Sequence, residues 1–247
     1  MSTRNEKRLF HLVREASLRY RMLENGDRIA VGVSGGKDSL TLLYAFHLLK
    51  RYTPLQFEVV GLTLDLGYNQ DFSAVADYCR ELNIDYQVIP TNIGRAAFAG
   101  PDAHNPCALC AHLRRGSLNR QATALGCNKV ALAHHLDDAV ATLMMSAFYN
   151  SRFQVYTPVT YLDRADLTVI RPLIYCEQEL MYKMVQQLSL PVVVNPCPAN
   201  GNTKRTEVEN WMRQTEQVFP HARIRLLRAW ENLNPNSFWF QGEQVFD

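Results

Sequence analysis

Three short stretches carry residue types at spacings that can do chemistry. The first, Ser34-Gly35-Gly36-Lys37-Asp38-Ser39, follows directly on the apolar run "RIAVGV". Glycines at a strand-to-helix turn let backbone N–H groups and a helix N-terminus converge on an anion, so this stretch is an anion-binding turn. It is not the P-loop of nucleotide hydrolases, which needs four residues between its first glycine and its Gly-Lys, then Ser or Thr. Here three residues separate Gly32 from Gly36-Lys37, and Asp38 follows. The dinucleotide fingerprint fails as well, because Ser34 stands where its second glycine belongs.

The second stretch, "AHHLDDAVATLMM", places His134, His135, Asp137 and Asp138 where an apolar run gives way to a helical pattern. Acidic residues at a helix start favour the positive end of its dipole, so capping alone accounts for them unless topology brings them to the first turn. The third is split between Cys107-x-x-Cys110 and a distant Cys197. Thiolates suit an iron–sulfur cluster or zinc. Three of them leave one iron position unfilled by protein, whereas zinc wants a fourth ligand, which His104 or His112 would supply. Cys79, Cys127 and Cys176 fall within or at the ends of helical or core-like stretches, as small structural residues do.

The elements that must position these residues alternate along the chain. Apolar, β-branched runs ("RIAVGVS", "FEVVGLTLD", "DYQVIP", "KVALAH", "PVVVNP") alternate with helical patterns such as "SLTLLYAFHLLKRY" and "EQELMYKMVQQLSL". This is βαβ grammar, and near-continuous apolar strands imply a parallel sheet covered on both faces. The expectation is an α/β fold with a doubly wound, five-stranded parallel sheet of order 3-2-1-4-5. In that order the first and fourth strands are neighbours where the winding reverses, so the Ser34–Ser39 turn and the His134–Asp138 segment face each other. Two inserts, after the third strand and after the fourth helix, break the rhythm. Asp65 ends the second apolar run.

The 247 residues suit one such domain with extensions: a basic amphipathic helix over 1–26, the main domain over 27–205 and a helical tail over 206–247. No apolar run approaches a membrane span, and the charged N-terminus lacks the apolar core of a secretory signal. Six cysteines without export signals point to a reducing, cytoplasmic setting. A net charge of +2 does not by itself argue for a nucleic-acid partner.

Ser34 to Ser39 resemble the PP-loop of the ATP pyrophosphatase superfamily. With "AHHLDD", the Cys107/Cys110 pair followed by "AHLRRG", the segment "IRPLIYCEQEL" and Cys197 with Asn202 and Arg205 behind it, the chain from about Asp27 to Arg205 is similar to the tRNA 2-thiocytidine synthetase family. That resemblance implies ATP on Ser34, Gly35, Gly36, Lys37, Asp38 and Ser39, with Asp65 and His134 as further nucleotide contacts. It implies catalysis by Lys37, Asp38 and Asp138 with Mg²⁺, and a 4Fe-4S cluster on Cys107, Cys110 and Cys197. Its partners would be tRNA, a sulfur donor (a cysteine desulfurase or sulfide) and a second copy in a homodimer. Arg114, Arg115, Arg120, Arg223, Arg225 and Arg228 are candidate RNA-phosphate contacts. A 2-thiouridine synthetase, a lysidine synthetase or a non-catalytic nucleotide- or metal-binding module are the alternatives, and the segment after Arg205, "NPNSFWF" included, matches the family poorly.

Overall fold

The computed structural model describes residues 3–99, 106–194, 196–197 and 204–234; His104, Asn202 and the tail from 235 lie outside them. Strand β1 (Arg28–Gly32) buries Ile29, Ala30 and Val31 in succession, as a central parallel strand must when both faces are covered. It runs parallel to β2 (Glu58–Asp65) on one side and β4 (Lys129–Ala131) on the other, with β3 (Asp85–Pro90) beyond β2. The first and fourth strands are therefore adjacent, as a doubly wound α/β sheet requires.

The sheet has six strands in the order β3-β2-β1-β4-β6-β5, correcting the expectation of five parallel strands. The fifth parallel position is filled by β6 (Leu167–Ile170), which pairs with β4; β5 (Val159–Leu162) lies antiparallel beside it. Both come from the second insert, whose "TYLDRADLTVI" alternates apolar and polar residues around a turn with no Gly or Pro to advertise it. Of the segment expected as the fifth strand, "PVVVNP", the described residues stand outside the sheet. Pro191 has no N–H to give a ladder, Val194 is 83% exposed, and the Val193 N–H donates to the carbonyl of Gly35 at 2.9 Å. This segment straps the anion-binding turn.

Helices α1 (Arg4–Arg19), α2 (Lys37–Tyr52), α3 (Ser73–Glu81) and α7 (Gln178–Leu188) cover one face, where Leu9, Val13, Phe46, Val75 and Met184 join one cluster with Ile29 and Val31. On the other face α5 (Pro106–Ala124) lays Leu118 and Ala122 against Ala30, Val60 and Val130; short α4 (Ile93–Ala99) packs on α5. Helix α6 (Leu136–Asn150) forms a third cluster with α8 (Lys204–Val218) and α9 (Ala222–Glu231) through Leu136, Met144, Met212 and Ala222. No helix among the described residues is long and apolar enough to cross a membrane.

Below the sheet, Lys129 Nζ donates to Asp27 Oδ2 at 2.8 Å and to the Met22 carbonyl at 3.1 Å, with both charged side chains at least 90% buried. Removing one partner strands a buried charge. Lys129→Met is expected to lower unfolding free energy by about 3–5 kcal/mol in urea titrations, and Asp27→Asn in the same chain is expected to restore most of it.

Candidate active site

Strands β1, β4 and β6 each deliver one element of the site past their carboxyl ends. After β1, Gly35 turns at φ +76 and Gly36 caps α2 without a side chain to satisfy the first-turn amides. Those N–H groups emerge at the positive end of the helix, where an anion is stabilised. The turn is held from within: the Ser34 N–H donates to Ser39 Oγ at 3.2 Å, the Gly36 N–H donates to Ser34 Oγ at 3.3 Å, and Ser39 Oγ donates to the Gly36 carbonyl at 2.9 Å. The strap leaves no room above it, since a Cβ on Gly35 would lie 2.9 Å from that of Val193. Lys37 Nζ pairs with Asp38 Oδ2 at 2.9 Å and lies 5.0 Å from the centre of the Tyr182 ring.

After β4, His135 is buried at the start of α6 with three carboxylates around it: Asp38 and Asp138 oxygens lie 3.6 and 3.5 Å from Nε2, and Asp137 Oδ2 lies 3.6 Å from Nδ1. Burial works against an imidazolium there, but the carboxylates of Asp137, Asp138 and Asp38 outweigh it and raise the pKa. Each carboxylate of α6 has further partners. Asp137 accepts from the Gln178 N–H at 2.7 Å and pairs with Arg223 Nε at 3.1 Å; Asp138 pairs with Arg205 Nη1 at 2.8 Å. Asp38 differs, because its Oδ1 is buried without a hydrogen-bond donor. A carboxylate oxygen in that condition beside a phosphate-type turn fits Mg²⁺, which takes one or two carboxylates and completes its shell with phosphates and water.

Beside the turn a cleft of about 340 Å³ runs between the strand ends and α5. Ser34, Arg114, Arg115, His134, Tyr156 and Arg171 supply its polar lining, over a floor that includes Leu62, Leu118 and Leu132. The rings of His134 and Tyr156 are 4.9 Å apart. Burial lowers the His134 pKa to about 4, Arg171 and Arg205 adding to the effect and Asp138 opposing it, so the ring is neutral at pH 7. Helix α5 carries Cys107 and Cys110 immediately before the cleft-lining Ala111 and Arg114. The Cys110 pKa is raised by burial, Arg114 opposing and the Cys197 and Cys107 sulfurs adding, which places three thiols in one neighbourhood; Tyr68 hydrogen-bonds with Cys197 there. Their donor chemistry suits a cluster, although no group of three His, Cys, Asp or Glu side chains among the described residues is gathered into ligating geometry.

Some expectations find other company. Asp65 Oδ1 accepts from the Gly67 N–H at 2.9 Å and closes a turn outside the cleft lining. Arg223 bonds internally to Asp137 and Glu216 instead of facing solvent, whereas Arg120, Arg225 and Arg228 are exposed. Cys79, Cys127 and Cys176 are buried, as small core residues are. Tyr156 and Arg171 escape sequence reasoning: both come from the second insert, and only the "IRPL" at the end of β6 hints at them.

A glycine turn at the switch point of a doubly wound sheet, facing a second acidic helix start, defines a nucleotide-binding protein of the PP-loop class. The PP-loop domain family profile matches residues 1–221. The chain is 37% identical over 233 residues to a tRNA-cytidine(32) 2-sulfurtransferase of Pelobacter propionicus, covering 93% of this chain and 87% of the relative. It is 36% identical to that of Geobacter sulfurreducens, covering 93% and 91%. The U34-tRNA thiolase NcsA of Methanococcus maripaludis, solved with its 4Fe-4S cluster, shares the fold at a TM-score of 0.75 and 23% identity, over 92% of this chain and 77% of that one. The chain belongs to the tRNA-cytidine(32) 2-sulfurtransferase family of PP-loop proteins.

Two outcomes follow from this geometry. Gly35→Ala must take a left-handed backbone and meet Val193, so it is expected to lower stability by about 2–4 kcal/mol and to weaken ATP binding in calorimetry. The two histidines titrate with opposite sign. As pH falls below 6.5 the unfolded chain protonates at residue 134 before the folded chain does, so His134 withdraws stability between pH 6.5 and about 4. His135 contributes stability that is full below pH 6.5 and is lost as pH rises through its raised folded value. His134→Asn is expected to flatten the acid-side fall in urea midpoints of the metal-free protein, and His135→Asn the fall above pH 6.5.

Proposed function

We propose that this chain is a cytoplasmic, ATP-dependent tRNA sulfurtransferase that converts cytidine 32, in the anticodon loop, to 2-thiocytidine. The observation that carries the reading is the PP-loop turn beside a cleft whose α5 wall, through Ala111 and Arg114, adjoins Cys107 and Cys110 in sequence, in a chain whose curated relatives are named for that reaction. Phosphates of ATP rest on the amides of Gly35 to Ser39, Lys37 neutralises their charge, and Asp38 with Asp138 holds Mg²⁺. His134, in the cleft lining, borders the rest of the nucleotide. The cytosine C2 oxygen attacks the α-phosphate, the bond to the β-phosphate oxygen breaks, and pyrophosphate leaves with the electron pair. A sulfur nucleophile then attacks C2 and AMP departs. The protein's task is to fix the groups in line and to offset charge on the transferred phosphoryl.

Cys107, Cys110 and Cys197 would hold a 4Fe-4S cluster, which would carry the sulfur to be transferred. Arg114 and Arg115, exposed at the cleft rim, face the tRNA backbone. The target base has to be splayed from its stack to reach the cleft, which an RNA loop permits at low cost. Sulfide or a cysteine desulfurase provides the sulfur, and the working form is a homodimer.

Anaerobically purified protein given ATP, Mg²⁺, sulfide and unmodified tRNA is expected to form 2-thiocytidine, read by nucleoside mass spectrometry. Lys37→Ala should slow formation by about a hundredfold or more with its melting curve unchanged; equal rates would favour a binding module. Cys197→Ala should lose the iron and visible absorbance of the wild type, while zinc in place of iron in both proteins would remove the cluster from the account.

A further inference from the structure

Arg171 is a charged side chain that the fold buries without an acid. It follows β6 directly and is 9% exposed. Its Nη1 donates to the Thr157 carbonyl at 2.7 Å and to Thr160 Oγ1 at 3.2 Å, its guanidinium carbon lies 4.9 Å from the centre of the Tyr156 ring, and its Nε has no partner. No carboxylate pairs with it among the described residues. The charged groups nearest in the cleft are Arg114 and Arg115, which are cations too. Burying an arginine under those conditions is unfavourable unless an anion completes the site, because the guanidinium does not escape by losing its proton.

Of the other cations near the turn, Arg205 pairs with Asp138 and Arg223 with Asp137, and Lys37, beside Asp38 at the start of α2, serves the phosphates on the turn in the reading above. Register fixes where Arg171 stands relative to the turn. Val31, Ala131 and Ile170 lie side by side across β1, β4 and β6, so the next residues Gly32, Leu132 and Arg171 share a level, two strand spacings or about 9.5 Å apart from end to end. Gly32, Val33 and Ser34 line the same cleft as Arg171, and the bonds of its Nη1 to Thr157 and Thr160 hold the guanidinium on the β5 side of that cleft.

We infer that Arg171 binds the phosphate of the adenylyl group, which the turn gives up when pyrophosphate leaves. This inference rests on the adenylation reading above and assigns a residue to its second half. Once pyrophosphate has departed, the α-phosphate remains esterified to the C2 oxygen. When sulfur attacks C2, the C2–O bond breaks and its electron pair goes onto the phosphate oxygen, giving AMP as a dianion. A cation held apart from the amides that cradled the β and γ phosphates stabilises that charge as it forms. Burial selects the source: a phosphate monoester on a small nucleotide reaches the cleft floor, whereas backbone phosphodiesters of a folded RNA meet the exposed Arg114 and Arg115 at the rim first.

The test is AMP affinity, measured by calorimetry on the anaerobically purified protein, which needs no turnover. Arg171→Gln should weaken AMP binding by about ten- to a hundredfold and leave tRNA affinity in filter binding unchanged. Arg171→Lys, which keeps charge but not the fork, should fall between, and it decides the matter if the glutamine variant fails to fold. Thr160→Val removes a supporting contact and keeps the cation, so it separates hairpin disturbance from lost charge; its AMP affinity should match the wild type. Unchanged AMP affinity in both Arg171 variants, loss of tRNA affinity in place of AMP affinity, or an equal loss in Thr160→Val would each overturn the inference. Failure of the thiolation reading itself shows differently, as wild-type protein that releases no tRNA-dependent pyrophosphate.

Discussion

A buried imidazole shared by carboxylates from two helix starts is the interaction on which the rest of the site depends. His135 closes β4 and opens α6, and it meets Asp38 of α2 on one side and Asp137 and Asp138 of its own helix on the other. Helices α2 and α6 direct their N-terminal ends toward the same place, an arrangement that repels itself unless negative charge lies between them. The three carboxylates supply that charge, and the imidazole sits between them within 3.5–3.6 Å of each. Arg205 and Arg223 anchor the outer carboxylates from α8 and α9, so the C-terminal helices are tied to the nucleotide turn through ion pairs as well as through their apolar cluster.

Across the cleft the charge has the opposite sign. Arg114 and Arg115 project from α5 and Arg171 from the end of β6, while the neutral His134 and the Tyr156 ring separate them from the acidic side. Such a division suits a reaction in which phosphates and a metal ion gather at one wall and a polyanionic substrate enters along the other. Cys107 and Cys110 stand at the N-terminal end of α5, adjoining the cationic wall.

The parts of this arrangement legible in the sequence are those in which one residue type has one physical use. Gly35 is required by a positive φ, and the run of buried residues in β1 declares a central parallel strand. The placing of the His134–Asp138 segment opposite the turn follows from strand order alone, and the contact of His135 with Asp38 matches it. What stayed illegible depends on pairing at a distance. "PVVVNP" has the composition of a strand, but its proline and its bond to Gly35 make it a strap; the hairpin that replaces it hides behind a turn lacking glycine. Arg223 looks like a surface cation until Asp137 and Glu216 are seen beside it. Arg171 carries no local signal of burial, since the sheet that buries it is assembled from segments far apart in the chain.

Oxygen tracing tests the central claim most directly. The tRNA is prepared with ¹⁸O at the C2 position of the target cytidine and is thiolated in a single turnover with unlabelled ATP and sulfide. Attack of the base oxygen on the α-phosphate predicts one ¹⁸O atom in the phosphate of AMP for each 2-thiocytidine formed, and none in pyrophosphate. Label in pyrophosphate, or label released to water with unlabelled AMP, would contradict the account.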